Sequence, residues 1–277
     1  MLKKARVRPG LFCFSGGDAR VARWIRCVHQ GEPRFGLCED ETVLLHDGQP
    51  WAAPVPTGVV VPFDTLSLLA PVTPGLFIGL WNNFHAAAAR QGQAIPTTPL
   101  YFLKSPGSIH PPDGLIAPPP GYDGRTLYEG ELGIVIGQIC TRLDLRAAEA
   151  AIFGYTCVND VTALDLLTAD ASFAQWARAK SCDTFGPVGP AIVTGLDWQA
   201  LTVRTLLGGR ERQNYPARDM ILPPAAIVSL ISQEMTLRPG DLIACGTSLG
   251  ALPMRPGATV EIAIDGIGVL RNRMAGG

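Results

Sequence analysis

The chain lacks any C-x-x-C pair: its seven cysteines are scattered, at Cys13, Cys27, Cys38, Cys140, Cys157, Cys182 and Cys245. An odd, dispersed set of thiols argues against a zinc site or a disulfide framework and for small buried hydrophobes. No apolar run approaches the roughly 20 residues of a membrane helix, so no membrane partner is expected. Neither sign of charge dominates. With 23 Lys and Arg against 24 Asp and Glu, nothing points to nucleic acid or an anionic surface as partner. The N-terminus is basic, but Leu11–Phe14 is too short for a signal sequence, which predicts a cytoplasmic protein. There are no internal repeats. A composition of 47% hydrophobic and 17% charged residues leaves a globular chain with a substantial core.

Residues 1–70 read as a small N-terminal domain, with Val21–Val28, Arg34–Cys38 and Thr42–Leu45 as short strands. Prolines 50, 54, 56, 62, 71 and 74 crowd the connection onward, and Phe63–Ala70 is expected to form a short helix between two of them. Residues 71–277 form the second, larger domain. Gly75–Leu80 reads as a buried strand running into a helix with an Asn cap and a stop at Gly92. Tyr101–Lys104 is another short strand, and Ser105–Tyr122 a Pro- and Gly-rich loop. Pro223-Pro224 opens a helix, and Asp265-Gly266 joins a closing hairpin. Strands outnumber helices without regular βαβ alternation, so the expected class is α+β, mostly β.

Tyr128-Glu129-Gly130-Glu131-Leu132 opens an aliphatic strand. Side chains alternate along a strand, so Glu129 and Glu131 share one face. Alone, that pair reads as a solvated strand face. A second strand, Phe153–Val158, ends in Asn159-Asp160 and adds a third carboxylate. Three oxygen donors without a neighbouring His or Cys suit a hard divalent ion, Mg2+ above all, with Mn2+ or Ca2+ as alternatives.

These stretches together resemble the fumarylacetoacetate hydrolase (FAH) family, which includes acylpyruvate hydrolases and 2-hydroxyhepta-2,4-diene-1,7-dioate isomerases. The likeness spans roughly residues 75–272. Besides Tyr128–Leu132 it is carried by Phe153-Gly154-Tyr155, Asn159-Asp160-Val161, Lys180-Ser181 and Asp183-Thr184-Phe185. Gly189-Pro190, Pro239-Gly240-Asp241, Gly246-Thr247 and Asp265–Gly268 complete it. The resemblance implies a β-rich roll with a small N-terminal domain, often homodimeric. It further implies a divalent ion held by Glu129, Glu131 and Asp160, a small oxo acid as substrate, and catalytic roles for His85 and Lys180. Gly246 and Thr247 would bind substrate. Such enzymes cleave a C–C bond hydrolytically, isomerise a double bond or decarboxylate. Three positions depart from the pattern: Ala88 stands where many members pair an acid with the histidine, and Leu164 and Leu167 replace an Arg and a Gln. The first reading is hydrolytic C–C cleavage of an acylpyruvate or β-diketo acid; Ala88 favours an isomerase somewhat, and the three departures together support the alternative of a metal-binding relative that has lost activity.

Overall fold

The structure is a computed structural model that describes residues 21–276; the N-terminal reading over Leu11–Phe14, including Cys13, lies outside them. Two large sheets, a two-stranded ribbon of Thr126–Leu127 with Thr162–Ala163, and a few short helices make up the fold of the described residues. The larger sheet has 12 strands, and its central strand is Gly130–Ile136, hydrogen-bonded to Ile152–Asn159 on one side and Leu242–Ala244 on the other. Beyond Leu242–Ala244 follow Phe77–Trp81, in parallel, and the edge strand Leu100–Lys104. The smaller sheet has five strands and contains the closing hairpin Thr259–Ile264 and Gly268–Met274. This mostly β, α+β architecture is the one expected.

Each residue of Gly130–Ile136 is buried, because both faces of the strand are covered. Leu132, Ile134 and Ile136 enter the main core, shared with Val203, Ile262 and Ile264 of the smaller sheet. Val135 on the opposite face joins Val158, Leu242, Ala244 and Phe77 in a second cluster. Glu131 therefore shares a face with apolar residues and not with open water.

The N-terminal strands extend the same large sheet: Arg23–His29 pairs with Gly186–Val193 through Arg23 opposite Val193 and Trp24 opposite Ile192. Two local expectations are corrected. Phe63–Ala70 is not a helix: only Phe63–Thr65 makes a single 3-10 turn, and Ser67–Leu69 is a strand on Arg23–His29. Alternate residues Leu66 and Leu68 pack on the core there, which a strand allows and a helix between prolines would not. The helix His85–Gln91 has no asparagine cap either. Phe84 occupies the cap position, and the Asp219 carboxylate accepts from the Ala86 N–H at 3.0 Å. Asn83 is instead buried, donating to the Cys245 carbonyl at 2.9 Å and so tying this turn to the Gly246 segment.

Candidate metal centre

Glu129, Glu131 and Asp160 converge, with one carboxylate oxygen from each lying within 4.8 Å of the others. Strand register explains the convergence. Gly130 opposes Asn159 and Glu131 opposes Val158, so Glu129 and Asp160 lie next in line, where the Asp160 N–H donates to the Glu129 carbonyl at 2.8 Å. Two-residue periodicity turns all three side chains to one face.

The glycine between the glutamates is fixed by contact with the second sheet. A Cβ at Gly130 would collide with Thr205 Oγ1. The Gly130 N–H donates to Gln213 Oε1 at 3.1 Å, and its carbonyl accepts from Tyr215 Oη at 2.5 Å and Thr247 Oγ1 at 3.0 Å. Gly130→Ala is expected to lower stability by about 1–3 kcal/mol through overpacking, measured as a lowered midpoint in denaturant; an unchanged midpoint would mean that the second sheet does not clamp this position.

Burial divides the three acids. Glu131 is 0% exposed; its Oε2 accepts from the Gly246 N–H at 2.8 Å, and its Oε1 has no partner. Burial first, then the neighbouring charges of Asp160 and Glu129, push its carboxyl well above the ordinary glutamate range. Asp160 is equally buried, yet two ammonium groups saturate it: Lys104 Nζ lies 2.5 Å from Oδ1 and Lys180 Nζ 2.6 Å from Oδ2. Burial raises its pKa, but Lys104 and Lys180 together outweigh that and hold it below the usual value. Glu129 is partly exposed and receives Lys180 Nζ at 2.8 Å and the Thr162 hydroxyl at 2.7 Å.

This arrangement fits a divalent cation. A buried carboxylate oxygen without a donor is costly unless it is protonated or meets a cation, and Glu131 Oε1 is such an atom, on a carboxyl clustered with those of Glu129 and Asp160. The donors are all oxygens, as hard ions require. The residues that would hold an ion are those the sequence pointed to.

The other expected site residues divide. Lys180 ends the short helix Trp176–Lys180 and directs its hydrogens to Glu129 Oε2, Asp160 Oδ2 and the Asp160 carbonyl. The Gly246 amide is committed to Glu131, and the Thr247 hydroxyl donates to Gly130 while accepting from Gln213 Nε2 at 2.8 Å. Both stand at the site, bracing its acids. Gly246 has φ +91°, and a Cβ there would press on the Leu80 carbonyl at 3.2 Å, which explains the glycine. His85 is the first residue of its helix and is exposed, with Ala88 one turn on and fully buried. Leu164 and Leu167 lie half-buried on the short helix Leu164–Leu167. Sequence reasoning missed two residues: Lys104, read only as a strand end, and Gln213, which lies on a strand of seven mostly polar residues.

Comparison with known proteins agrees with this geometry. The family model described as fumarylacetoacetate hydrolase, C-terminal, matches residues 77–275, and one described as Rv2993c-like, N-terminal, matches residues 22–71. Protein Rv2993c of Mycobacterium tuberculosis is 42% identical over 228 residues, which cover 80% of this chain and 84% of that protein. The fold is similar to that of 2-hydroxyhepta-2,4-diene-1,7-dioate isomerase from Mycobacterium marinum, with a TM-score of 0.84 and 36% identity over 92% of this chain and 98% of that one. It is also similar to the fumarylacetoacetate hydrolase of Exiguobacterium antarcticum, with a TM-score of 0.82 and 30% identity over 92% of this chain and 100% of that one. No helix among the described residues is long and apolar enough to cross a membrane. With residues 77–275 matched by its model, this chain belongs to the fumarylacetoacetate hydrolase family.

Proposed function

We propose that the protein is a Mg2+-dependent enzyme that acts on a small 2-oxo or enol acid, cleaving a C–C bond of an acylpyruvate or related β-diketo acid by hydrolysis. The observation that carries the reading is Glu131: a fully buried carboxylate with one unpartnered oxygen, clustered with two other acids. Charge balance supports the substrate class. Three carboxylates against the ammoniums of Lys104 and Lys180 leave one surplus negative charge when Glu131 is ionised. A divalent ion reverses that surplus, and a monoanionic acid then neutralises the site.

A bound divalent ion would supply Lewis acidity, polarising the keto oxygen and stabilising enolate charge, an effect worth several kcal/mol. The chain's own groups do the rest. Lys104 holds Asp160 in place from beneath, through Oδ1, while donating to the Phe185 carbonyl at 3.0 Å. Lys180 fixes the opposite oxygen of Asp160 and one of Glu129. Its longest hydrogen bond, 3.3 Å to the Asp160 carbonyl, is the one it gives up most easily to an oxyanion. His85, exposed on the first turn of its helix, is the proton carrier.

An isomerase of an unsaturated 2-hydroxy dienedioate is the second reading. A specific observation favours it: Ala88 is buried against the core, so the helix offers His85 no carboxylate to assist it in activating water. Isomerisation needs a proton carrier but no activated water. Decarboxylation of an oxaloacetate-like acid, or loss of activity in a metal-binding relative, would follow if neither conversion occurs.

The test is a panel of oxo acids assayed with Mg2+, Mn2+ or EDTA, with products weighed by mass spectrometry. Two fragments with a water added, lost in EDTA, are expected; conversion at constant mass would select the isomerase, and no turnover with any ion would overturn both. Lys180→Met is expected to lower kcat by about 10²-fold or more while changing the Mg2+ dissociation constant far less. The reverse pattern would make Lys180 a brace for the acids and nothing more.

A further inference from the structure

One face of the large sheet leads outward from the carboxylates. Phe77–Trp81 and Leu100–Lys104 pair antiparallel, with Phe77 opposite Lys104, Gly79 opposite Phe102 and Trp81 opposite Leu100. Opposed residues share a face, so these six lie together, while Ile78 and Leu80 point into the core on the other side. The neighbouring strand places Leu242 beside Phe77 and Ala244 beside Gly79, and Gly133 and Val135 beside those in turn. By the same alternation, this is the face that carries Glu131. Only the strand Leu242–Ala244 separates the Glu131 strand from the Trp81 strand, a distance of roughly 10 Å.

Along this face the surface grades from charged and buried to apolar and open. Lys104 is buried against Asp160; Phe102 is 9% exposed, Trp81 36% and Leu100 39%. Gly79 lets the Phe102 ring lie across the sheet, since a Cβ there would collide with the ring. Trp176 stacks on Phe102 with centroids 5.1 Å apart and planes 16° from parallel, and Trp81 meets Trp176 edge-on at 6.3 Å. Trp176 is one helical turn before Lys180, whose Nζ lies 5.2 Å over the same Phe102 ring. A continuous aromatic wall thus runs from the Lys180 ammonium to solvent. The half-buried Leu164 and Leu167 extend its apolar character on the helix packed against Trp176–Lys180. Arg125, beside that helix, is engaged by Asp165 at 2.7 Å.

The geometry points to a tail subsite: Trp81 and Trp176, backed by the buried Phe102 ring, receive the apolar or aryl end of the oxo acid whose carboxylate and keto group sit at Glu129, Glu131, Asp160 and Lys180. The substrate is then a monocarboxylate with a flat or hydrocarbon tail, and a second carboxylate at that end would meet ring faces, with Arg125 already engaged by Asp165. The inference rests on the 2-oxo acid reading above and names the specificity residues for it.

Equilibrium binding separates the two. The full chain with Mg2+ is titrated calorimetrically with pyruvate, phenylpyruvate and 2-oxoglutarate, none of which needs to turn over. Phenylpyruvate is expected to bind about tenfold tighter than pyruvate, the gain of one good aromatic contact, and 2-oxoglutarate no tighter than pyruvate. Trp81→Ala should remove most of that gain and leave pyruvate affinity within about twofold, since Trp81 is partly exposed and touches no acid. Trp176→Ala should do the same and Trp176→Phe should restore it. Equal affinity of the wild type for pyruvate and phenylpyruvate, a preference for 2-oxoglutarate, or an undiminished gain in Trp81→Ala would each overturn the subsite. Failure of all three acids to bind would overturn the 2-oxo acid reading itself.

Discussion

Replacing Glu131 with glutamine is expected to lower Mg2+-dependent turnover by about 10³-fold or more, as loss of several kcal/mol of Lewis-acid stabilisation requires, without unfolding the protein. The side chain keeps its volume and its acceptor for the Gly246 N–H. What is lost is a charged ligand at a position fully shut from water. Ion-free, the variant should be as stable as the wild type or more so. The wild-type carboxyl is raised, by burial first and then by Asp160 and Glu129. Across the window from the ordinary glutamate value up to that raised value, the folded chain therefore binds more protons than the unfolded one. Stability of the ion-free wild type then falls as pH rises through this window, and glutamine removes the dependence. Ion binding needs the carboxylate, so it should expel a proton and weaken about tenfold for each pH unit below the raised value. Calorimetry in buffers of different ionisation enthalpy measures that proton. Its persistence in Glu131→Gln would place the titrating group elsewhere.

The second large effect concerns a lysine. Lys104→Met is expected to cost about 3–5 kcal/mol of folding stability, the penalty for leaving a buried charge without one of its partners. Lys104 and Asp160 have no exposed side-chain surface, so no water can replace the lost ammonium. Chemical denaturation reads the loss, and a value below about 1 kcal/mol would show that Lys180 alone suffices for Asp160. Adding Asp160→Asn should recover part of the cost, because the charge left unpaired is then gone. The pH dependence follows from the lowered Asp160 pKa. Its contribution is present above the ordinary aspartate value and lost as pH falls through the folded value. In Lys104→Met that loss should begin at higher pH.

Much of the centre was legible because it depends on local rules. Alternation alone puts Glu129 and Glu131 on one face, and an Asn-Asp pair at the end of a strand gives the third acid. Lys104 was not legible. A lysine closing the strand Leu100–Lys104 looks like any strand end meeting water, and its burial is decided by Asp160, 56 residues away. The strand Val55–Pro62 was hidden by its prolines, which an edge strand tolerates and an interior one does not. Arg210–Pro216 was hidden by its charges; its functional residue, Gln213, is buried while residues 210–212 and Asn214 beside it are exposed. The helix Leu145–Ala151 carried a readable signal in Asp144, which caps it by accepting from the Ala147 N–H at 2.8 Å. The helix itself is only seven residues long, about two turns, too short for a clear apolar period. The aromatic wall joins three separate segments, and only pairing of Phe77–Trp81 with Leu100–Lys104 brings Trp81 and Phe102 to the same face.

The most direct measurement is anomalous scattering from crystals soaked in Mn2+. A single strong peak within bonding distance of Glu129, Glu131 and Asp160, including the Oε1 that now lacks a partner, is the expected result. Crystals that show no peak there, with Glu131 Oε1 taken up by a water or a neighbouring donor instead, would contradict a metal-dependent function for this site.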